Sequence, residues 1–419
     1  MFTSFPSRRP ASLAGAAIAL VLSLGACTAD TTTTSAGGSE AASTTGGEAP
    51  VTDGAAQVQV TLAADGVDTC SLNFSQAPAG PVTFTVTNVS STAISEVELQ
   101  NDLKILGEKE NLAPGLPASS FTVTLDGGDY TVYCPGADPE TQTFTVTGDA
   151  AAEPSGSTSE LLTQGSADYA AWVISQAEDL QTGVDGLKDA VDSGDVEAAK
   201  AAYIQARPFY EKIESDVEGF VMPGFDPTDN AGNLDYLIDM RESSLDEEVG
   251  WSGFHAVERN LWKSEEITDD TKTYAADLST NVGKLVEVVK GLEYRPEDLA
   301  NGAASLLEEV QSNKITGEEE AFSHIDLADF SGNVEGAKQA FANLQPGLEQ
   351  IDPDLSQEVA DEFGKVDEEL NKYRDASAPG GFITWDEKNR EKHAKDLSQS
   401  VLSLQQPLQK IAEKVATAN

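Results

Sequence analysis

The chain has 419 residues, a length that allows two or three domains at roughly 150 residues each and poses no obstacle to a sizeable core. Its 71 Asp and Glu against 26 Lys and Arg give a formal net charge of −45, which argues against nucleic acid as a partner because phosphate binding needs basic surface. Such an excess of carboxylates repels anionic lipid headgroups and concentrates cations. Salt-adapted or merely soluble proteins are acidic too, so charge by itself nominates no metal.

Residues 1–26 read as a lipoprotein signal peptide: Arg8 and Arg9 form a basic start, Ala11 to Leu24 an apolar run, and Leu24-Gly25-Ala26-Cys27 a lipobox. The run falls short of the about 20 apolar residues a membrane span needs. Cleavage is expected to leave Cys27 as a lipidated N-terminus and to remove two arginines, giving 24 basic residues and a net charge of −47. An acyl anchor would then hold a strongly acidic chain at the membrane. Once Cys27 is set aside, Cys70 and Cys134 form an even pair in an exported chain, for which a disulfide is the default.

Residues 27–56 are Thr, Ser, Gly, Ala and Glu with almost no large apolar side chain and read as a disordered tether. Across 57–148 the pattern turns to short alternating runs, among them Val58-Gln59-Val60-Thr61-Leu62, Val82-Thr83-Phe84-Thr85-Val86 and Phe121-Thr122-Val123-Thr124-Leu125. Those predict half-buried strands. Turn signals at Gly80-Pro81, Pro114-Gly115 and Asp126-Gly127-Gly128 space them as a small antiparallel Greek-key sandwich of about seven strands.

A polar stretch over 149–164, with Pro154 and Gly156, reads as a linker. Beyond it, 165–419 is rich in Ala, Leu, Glu, Asp and Lys with apolar residues at helical spacing. Helices are predicted near 165–192, 195–220, 251–263, 270–291, 297–313, 334–347, 355–374 and 386–416. The expected architecture is therefore multidomain, an N-terminal all-β sandwich followed by a C-terminal all-α helical bundle.

Gly253-Phe254-His255-Ala256-Val257-Glu258 is the strongest chemical candidate, because a spacing of three puts His255 and Glu258 on one face of a helix, close enough to share a cation. Trp251, Phe254, Leu261 and Trp262 flank the pair with apolar bulk, and buried charges need a partner or a metal. Zincins place two imidazoles on one helical face; this chain has three histidines, His255, His324 and His393, and no His-Glu-x-x-His. One imidazole among carboxylates suits iron or manganese better than zinc or copper. Further carboxylates at helical spacing are Glu211 and Glu214 in one stretch and Asp239 in another, each equally readable as an exposed helix face. Residues 57–150 hold no His and no Met, which rules out a blue-copper site. Cys70, Cys134, Glu96 and Glu98 leave two readings open there, a thiolate-carboxylate site or a structural disulfide.

These residues resemble the EfeO-type lipoproteins of EfeUOB iron uptake, which join a cupredoxin-like domain to an imelysin-like, peptidase-type domain. The likeness spans roughly 57–419 and rests on Gly253-Phe254-His255-Ala256-Val257-Glu258-Arg259-Asn260-Leu261-Trp262, on Lys314-Ile315-Thr316-Gly317-Glu318-Glu319-Glu320 leading into His324-Ile325-Asp326-Leu327-Ala328-Asp329-Phe330, and on Asn333-Val334-Glu335-Gly336-Ala337. In the β domain it rests on Glu110-Asn111-Leu112-Ala113-Pro114-Gly115 and on Gly128-Asp129-Tyr130 before Cys134. The resemblance implies an extracytoplasmic protein, periplasmic or at the cell surface, that hands ferrous or ferric iron to a membrane permease beside a haem peroxidase of the dye-decolorising type. It also implies His255, Glu258, Asp239 and Glu214 as metal ligands, with Glu211 as a substitute for Glu214. Cys70, Glu96 and Cys134, with Glu98 beside them, match a second metal site for iron or copper. Family members carry a carboxylate a few residues before the second cysteine, where this chain has Thr131. Two other functions fit parts of the pattern: an imelysin-like metallopeptidase, and a scaffold that docks a peroxidase without binding metal.

Overall fold

The computed structural model describes residues 47–101, 104–151, 155–217, 219–226 and 228–418. The signal peptide, Cys27 and the tether as far as residue 46 lie outside them. No helix among the described residues is long and apolar enough to cross a membrane.

The alternating runs form strands as their period requires, with apolar side chains turned inward at every second position. Ten strands result: β1 Val51–Thr52, β2 Ala55–Ala64, β3 Asp68–Leu72, β4 Gln76–Pro78, β5 Gly80–Asn88, β6 Val97–Asn101, β7 Lys104–Lys109, β8 Ser119–Leu125, β9 Gly128–Tyr133 and β10 Thr141–Thr147. One sheet runs β1-β2-β5-β8 with β3 also on β2, and the other runs β4-β10-β9-β6-β7. Phe84 of β5 lies 5.1 Å, centroid to centroid, from both Phe121 of β8 and Phe144 of β10, so aromatic side chains from the two sheets fill the space between them. The sandwich is not wholly antiparallel, because β2 and β5 run parallel, as do β4 and β10. Alternation fixes which face a side chain takes and says nothing of strand direction. Residues 51–56, tether by composition, pair as β1 against the start of β2.

Ten α-helices follow among the described residues, two of them prolonged by a π turn. Helix α1 (Ser157–Ser193) starts inside the stretch that composition reads as linker and buries Tyr169, Val173, Ala177, Leu180, Val184, Leu187 and Val191, a stripe at steps of three and four. Helix α2 (Val196–Glu211) begins where the Asp195 side chain accepts from the Ala198 N–H. Short α3 (Leu234–Asp239) is capped by Asn233. Helix α4 (Gly253–Glu258) runs into a π turn over Arg259–Ser264. After α5 (Asp269–Val289), α6 (Pro296–Glu309) likewise runs into a π turn over Val310–Lys314. Helix α7 (Asp326–Ile351), α8 (Pro353–Asn371), α9 (Glu387–Leu408) and α10 (Ile411–Ala416) complete the bundle.

The sandwich and the bundle belong to one compact unit. Lys109 at the end of β7 and Glu308 of α6 form a buried ion pair at 2.7 Å, and Asn301 of α6 donates to the Thr122 carbonyl of β8 at 2.7 Å. These two contacts fix the β7–β8 face against α6.

Candidate metal centre

Five segments converge on a nest of charged side chains in the bundle. Helix α2 brings Arg207 and Glu211 with Glu214 just beyond; α3 ends on Asp239; α4 carries His255 and Glu258; the π turn after α6 ends on Lys314 and leads to Glu319 and Glu320; α7 opens with Asp326 and Asp329. All are less than 5 % exposed. Two close backbone approaches make the convergence. Gly253 sits at φ +68°, and a Cβ there would lie 2.0 Å from the Ile238 carbonyl oxygen, so glycine is what lets α4 start against the end of α3. A Cβ on Gly336 would lie 2.2 Å from the Lys212 carbonyl oxygen, which is how α7 closes on the end of α2.

The His255 ring is held from both sides. Its Nδ1 lies 2.9 Å from Glu258 Oε2, and its Nε2 lies 3.2 Å from Glu319 Oε1 and 3.5 Å from Asp239 Oδ1. The second oxygen of Glu258 accepts from the backbone N–H groups of Phe322 and Ser323 at 2.8 and 2.7 Å, which fixes its orientation. Two overlapping groups of potential ligands result, Asp239, His255 and Glu319 on one hand and His255, Glu258 and Glu320 on the other. A ligating imidazole generally donates its other N–H to a carboxylate, and Glu258 stands ready to accept one from Nδ1.

Arg207 threads the middle of the nest. Its guanidinium pairs with Asp239, lies 2.6 Å from Glu211 and 2.7 Å from Glu319, and is 3.3 to 3.4 Å from Glu320 and Asp329. Lys314 sits 3.0 Å from Glu214 and 3.4 Å from both Glu211 and Glu319. Arg241 spans Glu309 at 2.8 Å and Glu319 at 3.2 Å. Even with His255 protonated, four cations face nine carboxylates, so the remaining negative charge must be met by protons or by a metal.

The proton affinities follow. Burial pushes Glu211 and Glu214 up to about 8, Glu320 to about 8 and Asp239 to about 7 despite the nearby cations. Burial raises Asp326 and Asp329 as well. Glu319 goes the other way: burial disfavours its charge, but Lys314, Arg241, His255 and Arg207 together hold it well below the usual carboxylate range. Burial and Arg207 oppose a charge on His255, and Asp239, Glu258 and Glu319 outweigh them, keeping the imidazolium favoured.

The residues fit a hard cation. Oδ1 of Asp329 and Oδ2 of Asp326 are buried without a hydrogen bond, Oδ2 of Asp329 meets the Arg207 guanidinium at 3.4 Å, and one imidazole amid carboxylate oxygens is a donor set for iron or manganese. His255 and Glu258 come together as their helical spacing suggests, and Asp239 joins them as the resemblance implies. Glu211 and Glu214 reach the nest on its Lys314 side and fall outside both groups around His255. Glu319, Glu320, Asp326 and Asp329 were visible only as parts of a family signature, and nothing in Gly317-Glu318-Glu319-Glu320 marks an acidic run as buried.

The second site takes another form. Cys70 and Cys134 are joined in a disulfide, so the thiolates that a Cys70-Cys134-Glu96-Glu98 site would need are absent. Glu98 is buried and Glu96 half-buried, and both face the helical bundle, as described below.

The β-sandwich and the helical bundle that encloses the histidine-carboxylate nest define a two-part chain, and its bundle is what the family comparison recognises. The imelysin model of the peptidase M75 group matches residues 165–411, and the chain belongs to the imelysin family. It is 35% identical over 313 residues to the iron uptake system component EfeO of Escherichia coli K12, covering 74% of this chain and 79% of that one. The EfeO of Shigella flexneri matches to the same extent, and that of Escherichia coli O1:K1 is 34% identical over the same length. Reduced rusticyanin matches 23% of this chain and 82% of its own at 14% identity and a TM-score of 0.20. The two sheets of the sandwich are defined by their strand pairing.

Proposed function

We propose that this protein captures iron outside the cytoplasmic membrane and delivers it to a membrane permease of an EfeUOB-type system. The buried His255, clasped between Glu258 and the Asp239-Glu319 pair with carboxylates in excess of cations, carries the reading. Relatives named as iron uptake components support it. Cys27 is the lipid anchor in this scheme, and a dye-decolorising-type haem peroxidase is the partner that conditions the iron before capture. Oxygen-rich ligands accept ferric iron readily, and His255 gives the centre enough nitrogen character for ferrous iron as well.

Peptide hydrolysis is disfavoured by the same geometry. A peptidase must offer a polypeptide access to a metal-bound water and a base, whereas His255 and Glu258 are at most 1 % exposed. Metal analysis of the full chain after incubation with iron, copper or zinc, with and without air, tests the proposal. Iron is expected to be retained by the parent and lost in the His255→Ala, Glu258→Ala double variant. Retention of zinc alone, or of no metal, overturns it.

A further inference from the structure

Glu96, Glu98, Glu108 and Glu110, all on or beside β6 and β7, line a cavity of about 130 Å3 between the sandwich and the bundle. Strand β7 is the edge of its sheet, and Glu98 lies opposite Glu108 in the β6–β7 register, a like-charge pairing that a sheet ordinarily avoids. Acids on an edge strand would say little alone. What distinguishes these is where the cavity leads. Its far wall includes Glu309, Arg241 and Asp239, and Asp239 is the residue that lies 3.5 Å from His255. On its other side it shares Glu96, Glu98 and Asn233 with a second cavity of about 300 Å3. The two spaces share these wall residues, the inner one reaches Asp239, and each has room for a cation with several waters.

We propose that this passage is the route by which iron reaches the buried centre, with the β-sandwich supplying its acidic wall and Arg241 its gate; the inference rests on the iron-capture reading. A narrow passage whose lining carries more carboxylates than cations, here Glu96, Glu98, Glu108, Glu110, Glu309 and Asp239 among its acids against Lys104 and Arg241, draws in a cation and raises its association rate. Arg241 bridges Glu309 on the passage wall and Glu319 in the nest, so an incoming cation meets a guanidinium that occupies the very carboxylates it seeks. Movement of that guanidinium off Glu319 opens the last step. The sandwich thereby contributes to uptake without holding a metal on its cysteines.

Stopped-flow mixing of ferrous iron with the full chain in detergent, under anaerobic conditions and at two ionic strengths, tests the route. The Glu108→Gln, Glu110→Gln double variant is expected to associate about three- to tenfold more slowly at low salt and to show a shallower salt dependence. Glu96→Lys, at a half-buried rim position, is expected to slow association in the same direction. Arg241→Gln is expected to accelerate it, an outcome that general damage to the fold would not produce. Parent-like rates in all three variants overturn the passage. A parent that binds no iron overturns the capture reading and the passage with it, whereas binding by the parent at rates blind to these residues overturns the passage alone.

Discussion

Arg207 lies where five carboxylates meet, fully buried, and its removal would strand them. Arg207→Met should destabilise the metal-free protein by about 3–5 kcal/mol, the usual consequence of breaking a buried charge network from one side. Chemical denaturation checks it, and added iron should recover part of the loss because a cation can take the guanidinium's place. Glu319→Gln probes a different property. Glu319 touches Lys314, Arg241, His255 and Arg207 at once, so its loss should weaken iron binding by at least tenfold in equilibrium dialysis. The pair His255 and Glu258 was legible in the sequence because a spacing of three on a helix fixes its own geometry. Glu319 and Asp329 were not, since only long-range packing decides whether an acid in an acidic chain faces water or a nest.

At the scale of elements, the centre depends on how closely α3, α4 and α7 approach α2. Gly253→Ala adds a methyl group 2.0 Å from the Ile238 carbonyl and forces a left-handed conformation on a residue with a Cβ. It should cost about 2 kcal/mol or more and loosen iron binding by moving Asp239 away from His255. Urea denaturation and a metal titration of the same variant read both effects. The π turns after α4 and α6 belong here too, each widening the backbone next to the residues that form the nest. Helix positions were largely visible from apolar periodicity, yet the start of α7 at Asp326 was not: Asp326 and Asp329 break the apolar pattern and place the predicted start near 334. The strands were visible from alternation, but the parallel pairing of β2 with β5 depends on long connections that leave no local signal.

For the whole molecule, proton binding and stability are linked. Glu211, Glu214, Glu320 and Asp239 have folded-state values of about 7 to 8, above the ordinary carboxylate values of 4.5 and 3.8. Their contribution to stability is full below the ordinary range and is lost as pH rises through 7 to 8. Glu309, which burial opposes but Arg241 and Lys314 hold down at about 2, contributes in the opposite sense, and its share is lost as pH falls from about 4.5 toward 2. The metal-free protein should therefore melt at lower temperature at pH 8.5 than at pH 6, while iron affinity rises over the same interval as the cation displaces protons. Melting curves and proton release in a weakly buffered titration test both signs. The Cys70–Cys134 disulfide closes a separation of 64 residues, which in the chain-entropy account is worth about 4 kcal/mol to the sandwich. The Cys70→Ser, Cys134→Ser variant should lose about that much stability in denaturant.

The internal cations of the nest carry one more consequence. In the proposed carrier role the centre is empty for part of each cycle. Ionised carboxylates packed this closely with no cation between them would push the helices apart. Arg207, Lys314 and Arg241 neutralise part of that charge when no metal is bound. On the proposed function, loading and release of iron then amount to an exchange of one positive charge for another among the same carboxylates.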